Sequence, residues 1–234
     1  MATTSCWFLF FVWVWWLPPM LTKGDKQQGE RCLPKTCGNL TISYPFWLAD
    51  TQGGRTCGPL DFEVTCRNNS TPVLGSSAHD GLAVIHISYE ERSLRVVDLY
   101  QRNHLHDTSS CHVPSWNASD QLGQLFTVDP DNLNLVLYNC TKAAGAAAVA
   151  RQERALVPIR CGNKSSAFVR AGERYDATGD YARYYMEGCE ATITPVFGAY
   201  VMANASNYEQ FINRGFLLTW QTVNGHVHPL LRGD

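Results

Sequence analysis

CGNLTISYPFW, residues 37–47, decides the fold class of this chain. A cysteine and a glycine lead into β-branched and aromatic residues, the types that suit a pleated, half-buried surface. Pro45 cannot donate a ladder hydrogen bond, so the stretch predicts an edge strand or a strand end rather than a central strand. Moving outward, it is flanked by cysteines at tight spacing: Cys32-x4-Cys37, then Cys57-x8-Cys66. Cys111, Cys140, Cys161 and Cys189 follow. Eight cysteines beyond an apolar leader read as a disulfide framework in an oxidising compartment. Zinc is the rival, but this spacing suits it poorly.

The leader is Trp7–Leu17, an unbroken apolar run closed by Pro18 and Pro19, with Cys6 at its edge. It is shorter than the roughly twenty residues of a spanning helix. It fits the core of a signal peptide, about 7–15 residues, and residues 1–23 are read as one. That predicts a secreted, extracellular protein. A retained leader would instead place it at the plasma membrane. The 234 residues carry a net charge of −2, so no basic field invites nucleic acid. Charged residues are only 17%, a low share that glycans would supplement. N-x-S/T sequons at Asn39, Asn68, Asn69, Asn117, Asn163 and Asn204 are the expected acceptors. A further sequon at Asn139 adjoins Cys140, and a disulfide there is expected to block it.

Strand-like runs recur at Asp61–Thr65, Gly81–Tyr89, Leu94–Tyr100, Leu133–Asn139, Ala155–Arg160, Ala191–Phe197 and Gly215–Trp220. Glu90–Ser93 has hairpin length. Ala143–Ala150 is either a short helix or a linker. Ser206-Asn207-Tyr208-Glu209 has capping-box spacing, and Gly215 stands where a glycine ends a helix. The expectation is a mainly β protein: two small disulfide-stapled, β-rich blocks with few short helices. Their bounds are read as 30–112 and 113–222, with a divergent tail at 223–234. Pairing is expected within each set of four cysteines.

The order C-x4-CG, YPFW, CGP-x-DFEVTC, HISYEERSLRVVDLY and a closing cysteine resembles the galacturonan-binding domain of plant wall-associated receptor kinases. Within that group the chain resembles the leaf-rust-resistance-locus receptor-like kinases. The second block is similar to the C-terminal domain of those receptors at LYNC (137–140), VPIRC (157–161), TPV (194–196) and GFLLTW (215–220). After Trp220 the family continues into another cysteine-rich segment, whereas this chain reads QTVNGHVHPLLRGD. The expectation is therefore a truncated ectodomain without a kinase.

The resemblance implies a non-catalytic module that binds cell-wall polysaccharide, pectin or oligogalacturonide. The alternatives are a kinase-less decoy that binds receptor-like kinases, or a piece of a full-length receptor serine/threonine kinase. A polyanionic ligand calls for arginines, and Arg55, Arg92 and Arg95 are the candidates. Tyr44, Phe46 and Trp47 could form an aromatic platform for sugar rings, although aromatics beside half-cystines are ordinarily core. No G-x-S-x-G, H-E-x-x-H, P-loop or EF-hand loop is present. His104-x-His106 and His226-x-His228 lack an evident third ligand. No catalytic residue, metal site or cofactor is expected.

Overall fold

The computed structural model describes residues 33–49, 57–75, 81–106, 113, 117, 122–144, 147, 156–159, 166–176, 182–198 and 205–221. The expected signal peptide, Arg55, Cys32, Cys111, Cys161, Asn163, Asn204 and the tail lie outside them. The chain divides into Met1–Leu33 and Pro34–Asp234. Every element below belongs to the second unit.

The strands are β1 (Lys35–Cys37), β2 (Leu40–Ile42), β3 (Trp47–Leu48), β4 (Glu63–Arg67), β5 (Thr71–Leu74), β6 (Leu82–Ser88) and β7 (Ser93–Asp98). They continue as β8 (Phe126–Val128), β9 (Leu133–Cys140), β10 (Leu156–Pro158), β11 (Ala167–Arg174), β12 (Cys189–Val196) and β13 (Phe216–Trp220). Helix α1 spans Leu99–His106 and α2 spans Tyr208–Arg214. The fold is mainly β, as the sequence predicts. Among the described residues no helix is long and apolar enough to cross a membrane.

Three sheets form among the described residues: β1-β2, a four-stranded sheet β10-β11-β9-β12 and a seven-stranded sheet β3-β4-β5-β6-β7-β13-β8. The largest sheet draws strands from both sides of residue 112. GFLLTW supplies β13, which sits between β7 and β8 as a buried strand should. Pro45 lies in the turn that separates β2 from β3, and β3 is at the sheet edge. Pro195 does not interrupt β12, because β12 is itself an edge strand. Asp61 does not begin a strand: Leu60–Phe62 forms a 3-10 turn ahead of β4.

Side-chain alternation divides the seven-stranded sheet. Val64, Leu82, Val84, Leu94, Val96, Phe126, Val128, Phe216, Leu218 and Trp220 line one face and form the main core with Ile42, Phe46 and Phe62. Val73, Ala83 and Val97 line part of the other face, and Leu99 packs on them. There α1 and α2 pack against β7 and against each other. Leu105, Tyr208, Phe211 and Ile212 of these helices join Leu133, Leu135 and Leu137 of β9 in a second core. Both faces of β7 are thus buried at this end, which is why Leu94–Asp98 shows no clean alternation in sequence.

Residues 99–100 do not extend β7 as expected. The Asp98 carboxylate accepts the Gln101 N–H (3.0 Å) and starts α1 instead. At α2, Asn207 rather than Ser206 is the N-cap, and its side chain makes no cap hydrogen bond. Glu209 accepts the Tyr208 hydroxyl instead (3.2 Å). Gly215 ends the helix at φ +70°, as expected. A Cβ there would collide with the Val96 carbonyl oxygen, so the close approach of α2 to β7 also requires glycine.

Cys37 pairs with Cys66 and Cys140 with Cys189, each bridge within its own set of four. Cys57 is also disulfide-bonded.

One side chain joins the two larger sheets. Asn132, fully buried, lies between β8 and β9. Its amide accepts the Leu217 N–H at 2.8 Å and donates to the Leu217 carbonyl at 2.7 Å. It also donates to the Asp129 carbonyl (2.7 Å). The Asp129 N–H meets the same Leu217 carbonyl (3.0 Å). The side chain thereby extends the β8 edge past its last residue. Truncation would strand a buried N–H, a loss of about 1–3 kcal/mol for each unsatisfied group. Asn132→Ala is expected to cost about 3 kcal/mol in urea unfolding, with a single cooperative transition retained. A cost under about 0.5 kcal/mol would contradict this role.

Candidate ligand-binding face

The β6–β7 hairpin carries two of the three candidate arginines. Its turn holds Arg92 at φ +52°, exposed, and the Arg92 carbonyl accepts the Trp220 N–H (3.1 Å). Arg95 stands within β7, paired with His86 of β6 and Leu217 of β13. Its neighbours Leu94 and Val96 point into the main core, so Arg95 points to the opposite, outer face.

The strand registers place two rows there. One is His86–Arg95–Leu217. The next is Ser88–Ser93–Thr219–Thr127, a line of small hydroxyl side chains across four strands. A register shift between Val84 and His86 leaves Ile85 unpaired and exposed beside the first row. The Arg95 guanidinium carbon lies 5.8 Å from the Phe197 ring centroid. That distance is within cation–π reach of the ring face. Arg95 Nε is buried and has no hydrogen-bond partner among the described residues. Glu91 is tied to the hairpin turn, accepting the Ser93 hydroxyl (3.4 Å) and donating its own N–H to Ser88 Oγ (3.3 Å).

The aromatic candidates go elsewhere. Phe46 and Trp47 are only 2% and 8% exposed. Phe46 meets Trp220 edge-on at 5.0 Å and Phe62 at 5.1 Å. Trp47 Nε1 donates to the Pro59 carbonyl (3.0 Å), and Gly58 leaves room for the indole that a Cβ would invade. Tyr44 is 64% exposed, but it lies in the β2–β3 segment, whose Ile42 and Phe46 belong to the main core. Arg95 and Tyr44 therefore address different sides of the sheet. Sequence reasoning missed His86, Ile85, Phe197, Thr127 and Thr219. Ser88, Arg95 and His86 alternate visibly only if the bulge at Ile85 is known, and Phe197 arrives from distant sequence.

Tyr89 closes the core below the hairpin. Its hydroxyl donates to the Thr41 carbonyl (3.0 Å) and accepts the Ser43 N–H (2.7 Å), fastening the β2–β3 segment. Asn39, Asn68 and Asn69 are exposed on two neighbouring turns, joined by the Gly38 N–H to the Asn69 carbonyl (3.3 Å). Asn117 Oδ1 accepts the Ile193 N–H of edge strand β12 (2.9 Å). Among the described residues no cluster of His, Cys, Asp or Glu could hold a metal ion.

Residues 32–98 match the family described as wall-associated receptor kinase galacturonan-binding. That matched segment includes β1 to β7. Over 54 residues the chain is 43% identical to wall-associated receptor kinase 1 of Arabidopsis thaliana. The aligned stretch is 23% of this chain and spans only 7% of that protein's length. No solved structure matches the chain.

Burial raises the Tyr89 hydroxyl above 10.0, with the Ser43 hydrogen bonds partly opposing the shift. A phenol held neutral by the fold stabilises it fully below the unfolded value. That stability is lost as pH rises through the unfolded and then the folded pKa. Urea midpoints are therefore expected to fall from about pH 10 upward, and less steeply in Tyr89→Phe. At neutral pH Tyr89→Phe should cost about 1 kcal/mol for the lost hydrogen bonds. Identical pH slopes in the two proteins would contradict the assignment.

Proposed function

We propose that the outer face of the seven-stranded sheet binds the carboxylates and hydroxyls of a galacturonan chain. The protein would then be an extracellular, non-catalytic pectin-binding module. The observation that carries this reading is Arg95. Its guanidinium is oriented over Phe197 and shares a row with His86, and its Nε lacks a partner. It lies within the segment that matches the galacturonan-binding family. A uronate carboxylate would accept charge-assisted hydrogen bonds from this fork. Ser88, Thr219 and Thr127 of the next row would meet ring hydroxyls, with buried Ser93 bonded to Glu91 beneath them, and Ile85 would meet an apolar sugar face. Exposed Arg92 extends the cationic track toward the hairpin turn. The region after residue 113 is read as the companion C-terminal domain of the same receptors, contributing Leu217, Thr219 and Thr127 to this face.

Calorimetry with de-esterified oligogalacturonides tests the proposal. Binding should weaken with added salt. Arg95→Ala should lower affinity at least about tenfold, roughly 1.4 kcal/mol. Arg95→Lys should recover only part of it, since the ammonium cannot make the planar fork. Arg183→Ala, on the 3-10 turn at Ala182–Tyr184 and paired with Glu173, should bind as the parent does. Absence of binding at low salt, or an unchanged affinity for Arg95→Ala, would overturn the proposal.

A further inference from the structure

A second surface feature lies away from this face, at the ends of β9 and β12. Asn139, Cys140, Thr141, Tyr185, Gly188, Cys189 and Glu190 line a depression of about 450 Å³. Two of these residues, Asn139 and Thr141, are the acceptor and hydroxyl positions of the sequon Asn139-Cys140-Thr141. A third, Tyr185, is 77% exposed, the most exposed of the large hydrophobic side chains among the described residues.

The sequence suggests that a disulfide at Cys140 would shut this sequon. Strand geometry removes the objection. Cys140 faces Cys189 in direct register, and the bridge joins them there. Asn139 pairs instead with Glu190 and Ala167, and successive side chains of a strand point to opposite faces. The amide of Asn139 therefore points away from the face that bears the sulfurs. The burial pattern agrees: Cys140 is buried, while Asn139 is the single exposed residue of β9. Thr141 is exposed beyond the strand end, its Oγ1 accepting the Ala144 N–H (3.3 Å). The two bridges described here place the chain where disulfides persist, which is also where N-glycans are added.

We infer that Asn139 carries an N-linked glycan whose first sugars seat in this depression against Tyr185. The chain itself supplies the occupant, covalently attached at the rim. An exposed tyrosine ring offers an apolar face to the C–H side of a sugar and a hydroxyl to its polar edge. Glu190, opposite Asn139 in the register, offers acceptor oxygens to sugar hydroxyls. The glycan would cover an aromatic ring that is otherwise left in water.

The test uses the full chain secreted from a eukaryotic host. Glycopeptide mass spectrometry should find the Asn139 peptide modified. Asn139→Gln should lower Tm, and enzymatic removal of the glycan should lower it similarly. Tyr185→Ala should lower Tm in the glycosylated protein and leave Tm unchanged in the Asn139→Gln background. An unmodified Asn139 peptide would overturn the inference. So would a Tyr185→Ala effect of equal size with and without the glycan.

Discussion

Two hydrogen bonds between the Asn132 amide and the backbone of Leu217 hold the architecture in register. An asparagine amide has one acceptor and one donor edge, the same pair that a strand residue presents to its neighbour. Placed where β8 has ended, it lets the chain leave the seven-stranded sheet without leaving Leu217 unsatisfied. One residue later β9 begins the four-stranded sheet. The turn from Asp129 to Asn132 is thus one point at which the two sheets are joined; the Phe197 N–H, donated to the Gly215 carbonyl (2.7 Å), is another. A buried N–H without a partner costs more than an ordinary hydrogen bond contributes, so the constraint is strict.

What depends on it is the placement of β13. Leu217 lies opposite Arg95, so fixing Leu217 fixes the row that contains the arginine. On the other side of the same strand, Phe216, Leu218 and Trp220 complete the main core with Phe46 and Phe62. Trp220 meets Phe46 edge-on, and such contacts add roughly 0.5–1.5 kcal/mol each beyond area burial. The segment that matches the galacturonan-binding family ends at residue 98, yet its sheet and its core are both completed from residues 126–128 and 216–220. The candidate ligand face is a product of both halves of the chain.

Much of the β character was legible because it depends on local chemistry. GFLLTW is apolar throughout and becomes a strand buried in mid-sheet; Pro45 forecasts an edge and lies next to one. The helix at Leu99 was equally local: Asp98 and Gln101 have the Asx-x-x-Gln spacing of a helix start, obscured by the strand-like LRVVDLY before it. β11, Ala167–Arg174, was missed because its second half is polar and bulged between Ala171 and Arg174. β5 was missed because it contains Pro72, which lies beyond the residues that pair with β6 and so gives up no ladder bond there. The site was less legible. Arg92 and Arg95 were visible as a pair, but which face each serves depends on the bulge at Ile85 and on Phe197. Neither can be read from spacing. Phe46 and Trp47 show the reverse: their chemistry suits a sugar platform, and their position beside Cys37 and Cys57 puts them in the core.

The central claim is that one ligand face is built from strands of both sequence halves. Chemical-shift mapping of the isotope-labelled protein with a de-esterified oligogalacturonide tests it most directly. The account predicts that the amides of His86, Arg95, Leu217 and Thr219 shift together and saturate with one affinity. Shifts confined to Cys37–Leu48, or to the four-stranded sheet, with Leu217 and Thr219 silent, would contradict it.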